Sequence, residues 1–312
     1  MNFKKITNNF ITFKPVAFVV GVSKKIVIPG FDGVSLYNVA SFFFERVWCS
    51  SLTTRASALS FVFFLALFPA IIFFFTLIPY IPITGFQDTL LATLKDILPE
   101  DTYNAALTTL EDIIKREHGG LLSLGFVASL YLSTSGISGI ITAFNDSINA
   151  TETRSFIKKK IVSLLLVFIM SVLIIVAISL FTAGSGLMNY LVDEGYLQSS
   201  FTYYSLIISE WLVIITLCFL FISSLYHFAP ARHIRFRFVS AGSTLATFLF
   251  IITSLGFNFY ISHFSQYNKL YGSIGALIII LMWIYINAIV LLVGFELNVS
   301  ISNAKNKEYI NI

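Results

Sequence analysis

Long apolar stretches separated by short polar turns set the pattern of this chain. Six of them run for about the 20 residues a helix needs to cross the hydrocarbon core of a bilayer. They are Ala58–Pro79, Leu121–Phe144, Ile161–Ala183, Tyr203–Phe228, Phe238–Ile261 and Ile274–Ser300. The runs are continuous and do not alternate with period two, so they lack the pattern of a transmembrane β-barrel. A backbone inside lipid has to satisfy its own hydrogen bonds, which makes each run a helix. The pattern therefore predicts an all-α polytopic membrane protein with six transmembrane helices.

Two further segments have helical periodicity without the length to cross. Val34–Thr54 places Leu36, Val39, Ala40, Phe43, Val47 and Trp48 at helical spacing, with Glu45 and Arg46 among them. It reads as an amphipathic helix lying in the interface and leading into the first span. The alternative is a plain extension of that span. Between the first two spans, Phe86–Leu98 and Asp101–His118 each carry an apolar stripe, in the second Ala106, Leu107, Leu110, Ile113 and Ile114. Pro99, Glu100 and Asp101 suit a helix start and Gly119–Gly120 its end, so a helical hairpin is expected there. The organisation is then an N-terminal segment (1–33), one membrane domain (34–302) and a short tail (303–312). No small-residue cleavage site follows a short apolar core near the start, so no cleaved signal peptide is expected.

Composition sharpens this picture. Apolar residues make up 57% of the 312 and charged residues 12%, about half the usual charged share, and the mean hydropathy is +0.85. Too little polar surface exists to coat a soluble globule, which excludes a soluble enzyme, a disordered chain and a disulfide scaffold. Cys49 and Cys218 stand far apart in apolar surroundings and read as reduced small hydrophobes. A net charge of +4 is too small and too evenly spread to suggest nucleic acid. Its distribution is informative, however. With a cytoplasmic N-terminus, 16 of the 20 basic residues fall on the inside, and only Lys95, Lys115, Arg116 and Lys269 fall outside. The positive-inside rule then places both termini in the cytoplasm and the hairpin outside.

Candidate chemistry is sparse. The sequence has no His-Glu-x-x-His, no paired-Cys spacing, no Gly-x-Ser-x-Gly elbow and no phosphate-cradling Gly-rich loop with Lys, so neither an enzyme nor a metal or cofactor site is expected. Polar groups at membrane depth are the sharper clue, because lipid offers them no partner. Arg55 opens the first span and Glu296 closes the last at the same expected depth, which makes them candidate ion-pair partners. The alternative is that each snorkels separately to the headgroups. The second span packs Ser133, Thr134, Ser135, Gly136, Ser138 and Gly139 into mid-membrane and then reaches Asn145. Either these small residues allow close helix packing, or the helix is bent or locally unwound along a polar cavity. Pro69 in the first span frees a carbonyl and would permit a kink facing such a cavity.

These residues resemble the YihY/virulence factor BrkB family of bacterial inner-membrane proteins. The likeness is carried by Arg55-Ala56-x-Ala58-Leu59-x-Phe61, Pro69, Asn145 with Glu152-x-Arg154, and Tyr226-x-x-x-Pro230. Tyr271-Gly272-Ser273-x-Gly275-Ala276, Trp283-x-Tyr285 and Gly294-x-Glu296-Leu297-Asn298 add to it, so that it spans roughly Tyr37 to Asn303. Members commonly have Ala before the glutamate, where this chain has Phe295. The resemblance implies an inner-membrane protein of about six spans without a settled biochemical activity. An older tRNA-processing ribonuclease label for the family has no support in this sequence. Suspected roles in lipid export suggest a transporter or flippase-like protein for a lipid or other amphiphile. Its candidate headgroup contacts are Arg154, Arg232 and Arg235, and its partners are membrane lipids and no nucleic acid. The other class is a non-transporting membrane scaffold or envelope-integrity factor. Substrate, energy coupling and assembly as a homo-oligomer stay open.

Overall fold

The computed structural model describes residues 21–24, 26–28, 30–49, 51–80, 87–88, 91, 107–108, 111–193, 200–231, 238–263 and 273–310. Seven long helices form among them: α1 (Leu36–Cys49), α2 (Leu52–Leu77, closed by a 3₁₀ turn Ile78–Tyr80), α3 (Gly119–Ser147), α4 (Phe156–Asp193), α5 (Ser200–Phe228), α6 (Ala241–His263) and α7 (Ser273–Ile310). Six of these, α2 to α7, are long and apolar enough to cross a membrane. Large apolar side chains stand exposed along them, such as Phe61, Phe74, Ile175 and Phe248, and lipid is the medium that suits such a surface. This is an all-α fold of the polytopic membrane type.

Helix boundaries differ from the sequence expectation in instructive ways. α1 and α2 are separate helices, and α2 begins six residues before the apolar run does. Gly119 and Gly120 open α3 and do not close the preceding helix, which has ended by Arg116. α3 continues through Asn145 and ends at Ser147, where Asn149 takes a left-handed conformation (φ 49°) in the manner of a helix C-terminal cap. The Ser/Thr/Gly stretch lies inside this continuous helix and is not unwound. Pro69 likewise lies within the uninterrupted α2. α7 runs ten residues past Ser300, so the expected short tail is largely helix. Most of the expected hairpin lies outside the described residues. Within it, Lys115 pairs with Asp88 at 3.0 Å, and Leu91 and Ile114 are buried.

The chain divides into two compact units. One comprises residues up to Ala58 together with Ile137–Ile312. In it α7 packs on α1 and α6, and α5 packs on α4 and α6. Its buried centre holds Phe144, Leu166, Leu225, Leu292 and Phe295, with the rings of Phe144 and Phe295 stacked at 3.9 Å and Tyr226 edge-on to both. A second small cluster of Phe31, Val34, Val39, Ile301 and Ala304 docks the segment before α1 onto the extension of α7. The other unit, Leu59–Gly136, holds the larger parts of α2 and α3. There a Cβ on Gly125 would sit 3.0 Å from the Phe73 nitrogen, and one on Gly136 would sit 2.8 Å from the Phe63 ring. The glycines thus permit close helix approach, the packing role small residues play where lipid offers no hydrophobic drive.

Candidate functional site

The densest polar cluster in the larger unit surrounds Glu296, whose side chain is fully buried on α7. Arg55, on the first turn of α2, brings Nη2 to 2.8 Å from Glu296 Oε1. Arg46, from the last turn of α1, brings Nε to 2.7 Å from Oε2. Ser147, the last residue of α3, donates its hydroxyl to Oε1 at 2.8 Å. Both guanidiniums also cap the C-terminus of α3. Arg55 Nη1 donates to Ala143 O at 2.8 Å and to the Ser147 hydroxyl, and Arg46 Nη2 donates to Ser147 O. Cations there meet the unsatisfied carbonyls and the negative pole of the helix dipole. One carboxylate therefore ties together α1, α2, α3 and α7.

The sequence pointed to Arg55 and Glu296 and missed Arg46. A cation in an amphipathic interfacial helix is ordinary, so nothing in the pattern marked it. The stacked Phe144 and Phe295 respectively follow Ala143 and precede Glu296 in the chain, which gives Phe295 a defined place beside the cluster. Tyr226 completes that wall and donates its hydroxyl to Leu291 O at 2.6 Å.

A second cluster joins two loops. Glu152 accepts from Arg154 Nε at 2.8 Å and from Arg154 Nη2 at 3.0 Å, and Arg154 also donates to Ala229 O at 2.9 Å. Asn145 donates to Glu152 at 2.9 Å and accepts from the Ala231 amide at 2.8 Å. The connection after α3 is thereby tied to the one after α5. The Arg154 guanidinium beside Glu152 holds its carboxyl below the ordinary glutamate range, with burial opposing. Arg154 is thus engaged in an internal clamp, while Arg232 and Arg235 lie outside the described residues.

A third cluster closes α6 onto α7. Ser240 and Ser243 exchange amide-to-hydroxyl bonds at 3.1 Å as a reciprocal N-terminal cap. Asn298 accepts from the Gly242 amide at 2.8 Å and donates to Ser240 Oγ at 2.9 Å. A Cβ on Gly242 would collide with Gly294 O and Asn298, so the two backbones touch here.

The mid-membrane hydroxyls of α3 are placed as follows. Thr134 returns its hydroxyl to Leu130 O at 2.6 Å, and Ser138 pairs with Ser163 on α4 at 2.9 Å. Ser133, Ser135 and Gly139 are half-buried, and Gly136 is buried. Ser138, Gly139 and Asn145 belong to the larger unit, and Pro69 and residues 133–136 belong to the smaller one.

Comparison with known proteins now adds a family. The family model for virulence factor BrkB matches residues 43–311. The ribonuclease-like protein YfkH of Bacillus subtilis is 32% identical over 269 residues, covering 84% of this chain and 94% of that protein. A UPF0761 membrane protein of Tolumonas auensis is 24% identical over 264 residues, 82% of this chain and 83% of its own length. The UPF0761 membrane protein IL2447 of Idiomarina loihiensis is 33% identical over 91 residues, 29% of this chain and 32% of that protein. No solved structure matches.

Proposed function

This chain belongs to the virulence factor BrkB family of multi-pass bacterial membrane proteins, and from that premise we propose that it moves a lipid or other amphiphile, as a transporter or flippase does. The observation that carries this reading is the start of α4. Phe156 and Ile157 are 76% and 70% exposed, and Lys158, Lys159 and Lys160 follow directly, with no acidic residue in that turn. Cations at a helix N-terminus oppose the helix dipole. Anionic headgroups relieve that opposition, and the flanking apolar pair suits the boundary just beneath them. We place this rim and both termini in the cytoplasm, as the basic residues require. Reporter fusions at Lys160 and Ile312 then read inside and fusions at Glu111 outside.

The alternative, a non-transporting scaffold, is favoured by the spent hydroxyls of Thr134 and Ser138, which serve backbone and packing. Neither reading assigns a catalytic residue. The ribonuclease-like name belongs to the Bacillus protein. The deciding experiment uses purified protein in vesicles containing tail-labelled phosphatidylglycerol or phosphatidylcholine. Faster leaflet exchange than in protein-free vesicles supports transport, and an unchanged rate with folded protein supports the scaffold. RNA cleavage by the same vesicles with added divalent metal would overturn both.

A further inference from the structure

The cluster around Glu296 contains two cations and one anion. Each element packed there contributes as follows: α1 brings Arg46, α2 brings Arg55, α3 brings Ser147 and two carbonyls, and α7 brings Glu296. The neighbouring acids Glu45 and Asp146 are exposed, and among the described residues no second carboxylate pairs with either arginine. The carbonyl end of α3 offsets about half a charge. A surplus of positive charge therefore remains on side chains only 19% and 11% exposed. In addition, Arg55 Nε is buried with no hydrogen-bond partner. A clamp on one carboxylate needs one arginine. The second adds a desolvated cation, which is costly unless something anionic answers it.

We propose that Arg46 and Arg55 form a binding site for a phosphate-bearing anion, the chemistry that a lipid phosphate headgroup and free phosphate share. Guanidinium forks match phosphate oxygens in shape and charge. Arg46 is the more exposed of the two, at 19% against 11%, and the unpartnered Nε–H of Arg55 is a buried donor left over. α1 also exposes Phe44 and Trp48, 66% and 76% accessible, as a helix lying at headgroup depth does. The site deepens the lipid reading above and rests on it for the choice of lipid probe.

The test measures binding apart from translocation. Purified full-length protein in neutral detergent is titrated with phosphatidylglycerol, or with inorganic phosphate against chloride at matched ionic strength. Thermal unfolding and native mass spectrometry are the readouts. One saturable phosphatidylglycerol per chain, with a rise in Tm, is expected. Arg46→Lys keeps the charge but loses the fork, and should weaken that binding by about tenfold. Saturation by inorganic phosphate alone would assign the site to the free anion. No anion-specific response in the wild-type protein overturns the site, and so does an Arg46→Lys protein that binds as well as wild type. Wild-type protein that exchanges lipid but binds no anion would end this proposal and leave the transport reading standing. Intact binding without exchange would do the reverse.

Discussion

The two units of this protein are held by different forces. In the larger one, polar groups tie the ends of helices: Glu296 to two arginines, Arg154 to Glu152 and Ala229, and Asn298 to the start of α6. In the smaller one, Leu59–Gly136, the described contacts between α2 and α3 are shape contacts, with glycines set against Phe63 and Phe73 and the Phe73 and Phe126 rings 5.5 Å apart. Ion pairs such as Lys115 with Asp88 lie outside those two helices. Polar bonds concentrate where helices end, because that is where backbone groups lack intrahelical partners. Within a span the backbone is already satisfied, so close packing, with a few side-chain bonds such as Ser138 to Ser163, distinguishes one partner from another. The difference sets an order of sensitivity.

The largest effect is expected at Glu296. Glu296→Ala leaves two largely buried guanidiniums without their carboxylate and should cost up to about 3–5 kcal/mol, read as lost thermal stability in detergent and lower membrane abundance. Exchanging the charges by Arg55→Glu with Glu296→Arg, which a two-member pair would tolerate, should fail to restore stability. Arg46 would then face a second cation, and recovery in the double variant would break the three-member account.

Next comes the contact of α6 with α7. Gly242→Ala drives a methyl into the Gly294 backbone carbonyl, which cannot swing aside, and into the Asn298 side chain that caps α6, and should destabilise by about 1–3 kcal/mol. The same measurement sharpens the comparison inside the smaller unit. A methyl at Gly125 meets the backbone of Phe73, whereas one at Gly136 meets only the ring of Phe63. Gly125→Ala should therefore be clearly destabilising. Gly136→Ala should be near neutral, since ring movement is cheap and Ala gains about 0.8–1 kcal/mol of helix propensity over Gly. Equal losses at both positions would contradict the packing described for that unit.

The smallest effect belongs to the Glu152 clamp. Arg154 holds its carboxyl below the unfolded value, so the folded state binds a proton less readily than the unfolded one. That stabilisation is complete above the ordinary glutamate range and fades as the pH falls through the lowered value. Because the pair is partly exposed, at 17% and 24%, it should be worth no more than about 1 kcal/mol. Comparing the acid limb of stability for wild type and Glu152→Gln measures it, and identical limbs would show that the clamp contributes nothing electrostatically.

The sequence alone determined the spans and their helical nature, since lipid admits only long apolar runs with internally satisfied backbones. It also marked Arg55 and Glu296, because a charge at the edge of a span has few alternatives to a partner. Helix limits were less legible. The tail after Ser300 stays helical because Ile301 and Ala304 pack on Phe31, Val34 and Val39, a contact with residues more than 260 positions away. Arg46 could not be read as the third member of the cluster, because cations in interfacial helices need no explanation. Nor could Asn298 be read as the cap of α6, or Phe295 as the partner of Phe144. Hydropathy records the preference of each segment for lipid or water and is local along the chain. Which polar group answers which depends on the register and rotation of helices far apart in sequence, and only the tertiary packing decides those.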